Sequence, residues 1–250
     1  MTQYCFLVIL IVKYFTVKKE GNRLIGTIPE PAKERLLQIL RILEAADSNY
    51  TSAELEILTG WPSNTIRKDI SWLGRLALPE AEREQSENDE LSGRFSAGST
   101  SGYASRRLVP LIKEALGLNR RRKFCVVGLG RLGSAYLNLD SGTLGEFELA
   151  AGFDINVNRV EILKSPVPLY PAHKIGEVIQ RFGIEIALLC VSAEAAQTAA
   201  EKLAAAGIRG ILNFAPVILT LTSSTAKSVT VQNVYVADEL RTLKVKIGND

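Results

Sequence analysis

Residues 124–138 read FCVVGLGRLGSAYLN, which is a short apolar run, a turn with three glycines and the start of a helix. In the pattern Gly128-x-Gly130-x-x-Gly133, the first glycine permits a tight strand-to-helix turn and the second permits close approach of a pyrophosphate. The third lets the helix pack against the strand, and the helix N-terminus stabilises the negative charge of the ligand. The segment therefore predicts a nucleotide-binding βα unit.

An acidic residue follows at the spacing that such a site requires. Asp154, in the run LAAGFDIN, lies about 20 residues past the last glycine, at the predicted end of the next strand. A carboxylate there accepts hydrogen bonds from the adenosine ribose and repels a 2′-phosphate, which favours NADH and NAD+ as the cofactor. Arg159 is close enough in sequence to weaken that preference. A doubly wound fold with an empty site is the alternative interpretation.

Short apolar runs alternate with helical patterns from residue 106 onward, as in βαβ repeats around a parallel sheet. The run EIALLCV is apolar throughout, as expected of a strand that is covered on both faces. Strands are predicted near 124–128, 148–154, 186–191, 209–213 and 229–234. This pattern indicates a Rossmann-like α/β domain.

Residues 50–75 predict a helix-turn-helix. Thr51 and Glu54 form a capping box, which starts a helix whose Leu55 and Leu58 are expected to face a core. A glycine and a proline then break this helix, and a second helix follows after the short turn. A plain helical hairpin with a solvated charged face is the alternative interpretation.

The second helix has the pattern of a DNA recognition helix. Ser63 is expected to cap it, and Ile66, Ile70 and Leu73 share its apolar face. Polar and basic residues occupy the other faces, where they can reach base edges and phosphates, whereas Asp69 is expected to pair within the protein. The predicted DNA-binding residues are Ser63, Asn64, Thr65, Arg67, Lys68, Ser71 and, in the following wing, Arg94.

The wing carries an acidic insertion at about 76–100, with the run EAEREQSENDE followed by SGRFSAGSTSG. A segment of this composition buries little surface, so we interpret it as a loop directed away from DNA. Arg94 could follow the DNA backbone or enter a minor groove.

The composition limits how the chain can bind nucleic acid and argues against disulfides and metal sites. The net charge is only +3, so attraction to nucleic acid must depend on where the basic residues lie. Three cysteines are too few for a disulfide framework and indicate a reducing, cytoplasmic setting, with Cys125 and Cys190 interpreted as buried core thiols. One histidine, His173, and no ligand cluster predict no metal, and a solvated or capping role suits His173 better than catalysis.

The N-terminal run YCFLVILIVKYF, residues 4–15, is apolar but shorter than the ~20 residues that a membrane-spanning helix needs. It also lacks the order of charges and cleavage site that defines a signal peptide. We expect no membrane association for the protein, although an added strand, a membrane-touching tail and an over-long start remain alternatives for this run.

The predicted strand ends carry no obvious group for proton transfer. Hydride-transfer enzymes usually place a His, Lys, Tyr or carboxylate beside the nicotinamide. Here the strand ends carry Val-Ser-Ala at 191–193 and Asn-Phe-Ala-Pro at 213–216. This favours a protein that is not an enzyme, and an NAD-dependent oxidoreductase with a helical appendage remains the alternative.

From residue 28 to about 245 the chain resembles the Rex family of bacterial redox-sensing transcriptional repressors. The similar segments are IPEPAKERLLQILRIL, TIRKDISWLG, VVGLGRLGSA, GFDIN and AGIRGILNFAP. The resemblance implies a homodimer whose winged-helix domains bind a palindromic operator in double-stranded DNA. It also implies a C-terminal helix at about 236–246 that is exchanged between subunits, and release from DNA when NADH binds.

The resemblance also assigns the cofactor-binding residues. The adenosine half would be held by Gly128, Leu129, Gly130, Arg131, Leu132, Gly133 and Asp154. The nicotinamide would lie near Val191, Ser192, Ala193, Asn213, Phe214 and Tyr103. The chain departs from the family pattern at Arg131, Ser192 and Tyr235, so a DNA-binding regulator that has lost redox discrimination is a further alternative.

Together these features predict an α/β protein with four segments. Residues 1–26 are an extra N-terminal segment, and 27–107 form a winged helix-turn-helix domain. Residues 108–234 form a Rossmann dinucleotide-binding domain, and 235–250 form a dimerisation helix.

Overall fold

The structure, a computed structural model, describes residues 28–76, 102–139, 144–221 and 229–248. The chain divides into two compact units between Arg120 and Arg121. The N-terminal apolar run, the acidic insertion and Arg94 lie outside the described residues.

The N-terminal unit is a small helical domain closed by a short antiparallel ribbon, in agreement with the predicted winged helix. Its described helices are α1 (Glu30–Ala45), α2 (Ser52–Thr59), α3 (Ser63–Leu76) and α4 (Ser105–Ala115). Strand β1 (Asn49–Tyr50) precedes the helix-turn-helix and pairs with β2 (Tyr103–Ala104), which follows the wing region. The ribbon therefore brings the segment just before α4 next to the segment just before α2.

Helix α2 begins with the predicted capping box, because the Thr51 hydroxyl accepts from the Glu54 N–H while the Glu54 carboxylate accepts from the Thr51 N–H. Leu55 is fully buried, as expected. The prediction for Leu58 is wrong, since this side chain is 53% exposed. A helix of eight residues buries a narrow face, and the face centred on Leu55 leaves Leu58 at its outer edge.

Helix α3 begins differently from the prediction. Ser63 is its first helical residue and not its cap, and the Pro62 carbonyl accepts from the N–H groups of Thr65 and Ile66. The free N–H of Ser63 donates to the Glu56 carboxylate at 3.1 Å. A side chain of the first helix therefore satisfies one free N–H at the start of the second helix.

Helix α4 shifts the domain boundary from the predicted position at 107/108. Its Leu108, Ile112 and Ala115 are buried in the core of the N-terminal unit, beside residues of α1 and α3. The N-terminal unit therefore extends to Arg120, because the apolar face of this helix packs with the winged helix rather than with the sheet.

The C-terminal unit is built on a parallel sheet of six described strands, which confirms the Rossmann-like prediction. The strands are β3 (Arg122–Val127), β4 (Phe147–Asp154), β5 (Leu169–Pro171), β6 (Ile186–Leu189), β7 (Gly210–Asn213) and β8 (Thr230–Asn233). Their order is β5-β4-β3-β6-β7-β8, the doubly wound order of dinucleotide-binding domains. The five predicted strands agree to within two residues at each end. Strand β5 was not predicted, because three residues ending in proline give no periodic signal.

The described helices of this unit pack on the sheet, with the exception of the C-terminal helix. The described helices are α5 (Arg131–Leu137), α6 (Val157–Ile162), α7 (Ile175–Phe182), α8 (Ala193–Ala205) and α9 (Val236–Ile247). Buried residues of α7 and α8 pack on one side of the sheet around Phe153, and Leu129 and Leu137 pack on the other around Phe124. Helix α9 matches the predicted C-terminal helix to within a residue, and none of its side chains is buried.

Candidate functional site

A cavity of about 560 Å³ opens at the carboxyl ends of β3, β4 and β6. The chain turns to opposite sides of the sheet after β3 and β6, and this switch point is where doubly wound domains bind ligands. The volume lies in the ordinary range for small-molecule sites. The lining residues are Val127, Gly128, Gly130, Phe153, Asp154, Ile155, Arg159, Ala172, Ile175, Cys190, Val191, Ser192, Ala195, Thr198, Ala199 and Lys202.

The three glycines of the turn lie in different surroundings. Gly128 has φ +90°, and a side chain there would place Cβ 2.6 Å from the Cys190 carbonyl oxygen. At Gly133 an added Cβ would lie 1.9 Å from the Gly128 carbonyl oxygen, so α5 crosses the turn too closely for any other residue. At Gly130 no described atom lies within 4 Å of such a Cβ, and the backbone there faces open space.

Asp154 ties the glycine turn to the end of β4. This side chain is almost fully buried, and its Oδ2 accepts a hydrogen bond of 2.7 Å from the Leu129 N–H. Its Oδ1 accepts one of 2.8 Å from the Asn156 N–H. The carboxylate therefore holds the turn in shape while it lines the cavity at the expected ribose position.

Arg159 pairs with this carboxylate. Its Nη1 lies 3.1 Å from Asp154 Oδ2, and the Arg159 side chain remains 45% exposed on the cavity wall. Asn156 caps α6 through its side chain, which accepts a hydrogen bond from the Arg159 N–H on the first turn of that helix. The sequence indicates that Arg159 could weaken the preference of Asp154 for an unphosphorylated ribose. In the structure its guanidinium contacts the Asp154 carboxylate.

Several predicted cofactor residues belong to the turn without lining the cavity. Leu129 contributes its N–H, while its side chain is buried in the core beneath α5. Arg131 and Leu132 are exposed on the first turn of α5. A cation on the first turn of a helix is unfavourable by itself, and the role of Arg131 in cofactor binding stays a prediction.

The segment after β6 lines the other wall of the cavity. Val191 and Ser192 contribute directly, and Ala193 is the first residue of α8. A hydrogen bond with Ser192 lowers the pKa of the Glu194 carboxyl below its ordinary value. The sequence prediction missed the face of α8 that continues the wall, formed by Ala195, Thr198, Ala199 and Lys202. A spacing of three and four residues was the available signal.

Asn213 forms hydrogen bonds within the protein, and its predicted position near the nicotinamide stays a prediction. Its buried amide donates to the Ala215 and Val217 carbonyls at 3.3 and 2.9 Å and to Asn233 Oδ1 at 3.0 Å. Its own Oδ1 accepts from the Ala215 N–H. These bonds leave the side chain little capacity for a nicotinamide amide, so Asn213 fastens the loop after β7 to β8.

Phe214 follows Asn213 and packs against Tyr136 of α5, with the ring centroids 5.0 Å apart. Burial raises the pKa of the Tyr136 hydroxyl above its ordinary value. Both rings pack against the core around Phe124, beneath α5.

The two described cysteines differ in exposure. Cys125 is completely buried in β3, as predicted, whereas Cys190 is partly exposed and lines the cavity. Burial raises the pKa of each thiol to about 12. Both are therefore protonated at neutral pH and poorly suited to a thiol-based sensor.

The polar face of α3 is available for DNA. Asn64, Arg67 and Lys68 are exposed, while Ser63, Thr65 and Ser71 are partly exposed. The apolar face is buried as predicted, with Ile66, Ile70 and Leu73 at most 2% exposed. The structure therefore brings the six described DNA-binding candidates together on one helix that begins at a tight turn.

Asp69 pairs within the protein, as predicted, and its partner is Arg35 of α1. Arg35 Nε lies 2.6 Å from Asp69 Oδ2, and its guanidinium also stacks over the Trp61 ring at 5.5 Å. Gln38 receives a hydrogen bond from the Trp61 indole at 2.9 Å and donates to the Thr59 carbonyl. The sequence did not predict these contacts of α1 with the helix-turn-helix, because the contacting residues are more than twenty positions apart in the chain.

Tyr103 lies in β2 and packs against the core of the N-terminal unit. Its burial raises the pKa of its hydroxyl, while the nearby Arg67 charge opposes that shift. His173 is exposed in a short 3₁₀ turn at residues 172–174, in keeping with a solvated role.

Among the described residues, no three His, Cys, Asp or Glu side chains lie close enough together to hold a metal ion. No helix in the described ranges is long and apolar enough to cross a membrane.

Comparison with known sequences gives one consistent result. Residues 119–217 match the CoA binding domain family. The redox-sensing transcriptional repressor Rex of Thermus thermophilus is 38% identical over 229 residues, which is 89% of this chain and 95% of that protein. The protein of the same name from Levilactobacillus brevis is 32% identical over 213 residues, covering 85% and 88%.

Comparison with solved structures agrees. The crystal structure of RSP, a Rex-family repressor, superposes with a TM-score of 0.68 at 25% identity and covers 88% of this chain and 93% of RSP. The same score and identity hold for RSP in complex with β-NADH and for RSP in complex with β-NAD+ and operator DNA. These cover 94% and 92% of the RSP chain.

Proposed function

This chain belongs to the Rex family of redox-sensing transcriptional repressors, and on that premise we propose that it binds operator DNA through α3 and leaves it when NADH binds. The relatives are regulators, not enzymes, which is what the strand ends without a proton-transfer group predicted. Three cysteines in a chain of this length fit action in the reducing cytoplasm.

The observation that carries the proposal is the bond between Asp154 and the glycine turn. Asp154 holds Leu129 in place, and open space at Gly130 leaves room for a pyrophosphate against the start of α5. A turn that only joined a strand to a helix would need neither the buried carboxylate nor that space. The adenosine half of NADH would therefore lie along this turn, with its ribose at Asp154.

The nicotinamide half of NADH would lie toward the Phe214 and Tyr136 rings. RSP has been crystallised with both β-NADH and β-NAD+, which supports a site of this kind in its relatives. Asn213 would act indirectly, by fixing the loop that carries Phe214. Tyr103 remains a candidate for the nicotinamide end on the family resemblance alone.

A homodimer would be formed through α9. Four of its apolar side chains recur at intervals of three or four residues and are more than half exposed: Val236, Leu240, Leu243 and Ile247. Such a stripe needs a partner helix surface to bury it. Two-fold symmetry of the dimer would match a palindromic operator, with one α3 in each of two successive major grooves.

The experiment is selection of bound duplexes from a random DNA library, followed by mass measurement of the complex. We expect an inverted repeat bound by two chains. The double variant Leu240→Glu with Leu243→Glu should be monomeric and should lose affinity for the repeat while keeping the affinity of each chain for NADH. Recovery of sequences without two-fold symmetry would reject the dimeric operator complex.

A further inference from the structure

A glutamine of α8 holds the segment 214–221, which follows β7. Gln197 Nε2 donates to the Thr220 carbonyl at 2.8 Å, and Gln197 Oε1 accepts from the Thr220 N–H at 3.1 Å. Nε2 also donates to the Glu201 carboxylate at 2.8 Å, one turn farther along the helix. Both donors of the amide are engaged, and the side chain satisfies both backbone groups of one residue.

Gln197 stands on the helix that forms one wall of the cofactor cavity. Four residues of α8 line this wall: Ala195, Thr198, Ala199 and Lys202. Gln197 lies among them in the chain, but its own side chain is outside the cavity lining and points to the segment 214–221. Because a helix moves as one element, a ligand that shifts the wall also shifts the side chain that holds Thr220.

The other end of the segment is bonded to the last strand of the sheet. Asn213 donates to the Val217 carbonyl at 2.9 Å and to Asn233 Oδ1 of β8 at 3.0 Å. The Asn213 carbonyl accepts from the Val234 N–H at 2.8 Å. Helix α9 begins two residues past Val234. The segment is therefore bonded at one end to the cavity wall and at the other to the strand that leads into α9.

Between these two ends the segment packs on the core of the sheet. Val217, Leu219 and Leu221 are partly buried against the cluster that also contains the buried residues of α8, whereas Ile218 and Thr220 are exposed. Apolar contacts have no fixed direction. The hydrogen bonds of the two ends therefore set where the segment lies along the core.

We propose that Gln197 is a positioning residue that couples the cofactor cavity to the C-terminal helix. NADH in contact with α8 would shift the segment through the Gln197–Thr220 pair, and the Asn213–Asn233 bond would pass the shift to β8 and α9. The inference rests on the proposed release of DNA by NADH, and it names the contacts within one subunit that carry the response. Without the Gln197 amide, the cavity should bind NADH and operator binding should not respond.

The test is Gln197→Leu in the full chain, which nearly keeps the size of the side chain and removes its hydrogen bonds. Anisotropy of a labelled selected operator gives the DNA affinity with and without saturating NADH, and dihydronicotinamide fluorescence gives the NADH affinity. We expect NADH binding within about threefold of the native value and an effect of NADH on operator binding below about twofold. Gln180→Leu, at an exposed glutamine of α7 outside the cavity lining, is the matched control and should keep the native response.

Asn233→Ala tests the other end of the segment from an exposed position, and it serves alone if Gln197→Leu does not fold. It should also reduce the response, while Asn213 keeps its bonds to the loop. Release by NADH to the native extent in the folded variants would overturn the inference. Loss of NADH binding in Gln197→Leu would place Gln197 in the cofactor site and overturn it as well. A native chain that NADH does not release from DNA would instead reject the proposed function.

Discussion

Arg35 and Asp69 form a two-point ion pair that joins the first helix to the recognition helix. Nε–Oδ2 is 2.6 Å and Nη2–Oδ1 is 3.0 Å, and the two side chains are 14% and 11% exposed. The hydrogen bond and charge of Asp69 raise the pKa of the Arg35 guanidinium despite its partial burial. Because Arg35 also stacks over Trp61, one side chain of α1 contacts both the recognition helix and the turn that precedes it.

Replacing Arg35 with Leu should destabilise the N-terminal unit by about 3–5 kcal/mol, because it leaves the Asp69 carboxylate largely buried without its partner. Both tryptophans of the chain, Trp61 and Trp72, lie in this unit, so fluorescence during urea unfolding reports on it alone. The double variant Arg35→Leu with Asp69→Leu should recover much of the loss. A single variant within about 1 kcal/mol of the native chain would show that the pair is a surface interaction.

Gly130→Ala and Gly133→Ala should differ sharply although they lie three residues apart. Gly130 has φ −68° and free space around a new Cβ, so its variant should fold normally and bind NADH at least about tenfold more weakly. Gly133→Ala would place Cβ 1.9 Å from the Gly128 carbonyl and should destabilise the C-terminal unit itself.

Thermal unfolding and NADH titration of the two glycine variants distinguish these effects. A Gly130→Ala protein with unchanged NADH affinity would mean that the pyrophosphate does not approach the turn at this position.

Cys190 should react slowly with iodoacetamide although it is partly exposed. With its pKa raised to about 12, the thiolate fraction at pH 8 is about a thousandfold below that of an ordinary cysteine. Because the pKa is raised, the alkylation rate should rise about tenfold for each pH unit up to about pH 11. Peptide mass spectrometry measures the alkylation rate of Cys190, with the urea-unfolded chain as the reference. A rate that levels off below pH 9 would restore a thiol-based sensor as a possibility.

Arg67→Ala and Lys68→Ala should each weaken binding to the selected operator and reduce the salt dependence of that binding. If each side chain contacts one phosphate, the slope of log K against log salt should fall by about one for each substitution. Arg41→Ala, an exposed cation of α1, is the matched control. Equal slopes for all four proteins would remove Arg67 and Lys68 from the DNA contact.

Structural features that depend on neighbouring residues in the sequence could be predicted. Contacts that join distant segments of the chain could not. The capping box at Thr51, the glycine turn and the position of Asp154 all follow from local spacing. The partners of Asp154 and of Arg35 depend on how separate elements pack, which spacing does not specify. The apolar face of α4 likewise gave no sign of which unit it would join.

Asn213 shows a different limit. A family motif placed it near the nicotinamide, and the structure does bring the end of β7 to that side of the sheet. A motif gives the position of a side chain but not its hydrogen-bond partners, and the partners here are carbonyls of the following loop and Asn233. A residue that fastens a loop therefore looks the same in sequence as one that binds a ligand.

NADH, and not NAD+, should release the protein from DNA. The direct measurement is fluorescence anisotropy of a labelled selected operator, titrated with protein at saturating NADH and, separately, at saturating NAD+. We predict that NADH raises the dissociation constant for DNA by about 5-fold to 150-fold, the usual range of allosteric coupling, and that NAD+ changes it by less than about twofold. Equal effects of the two nucleotides would contradict redox sensing by this chain.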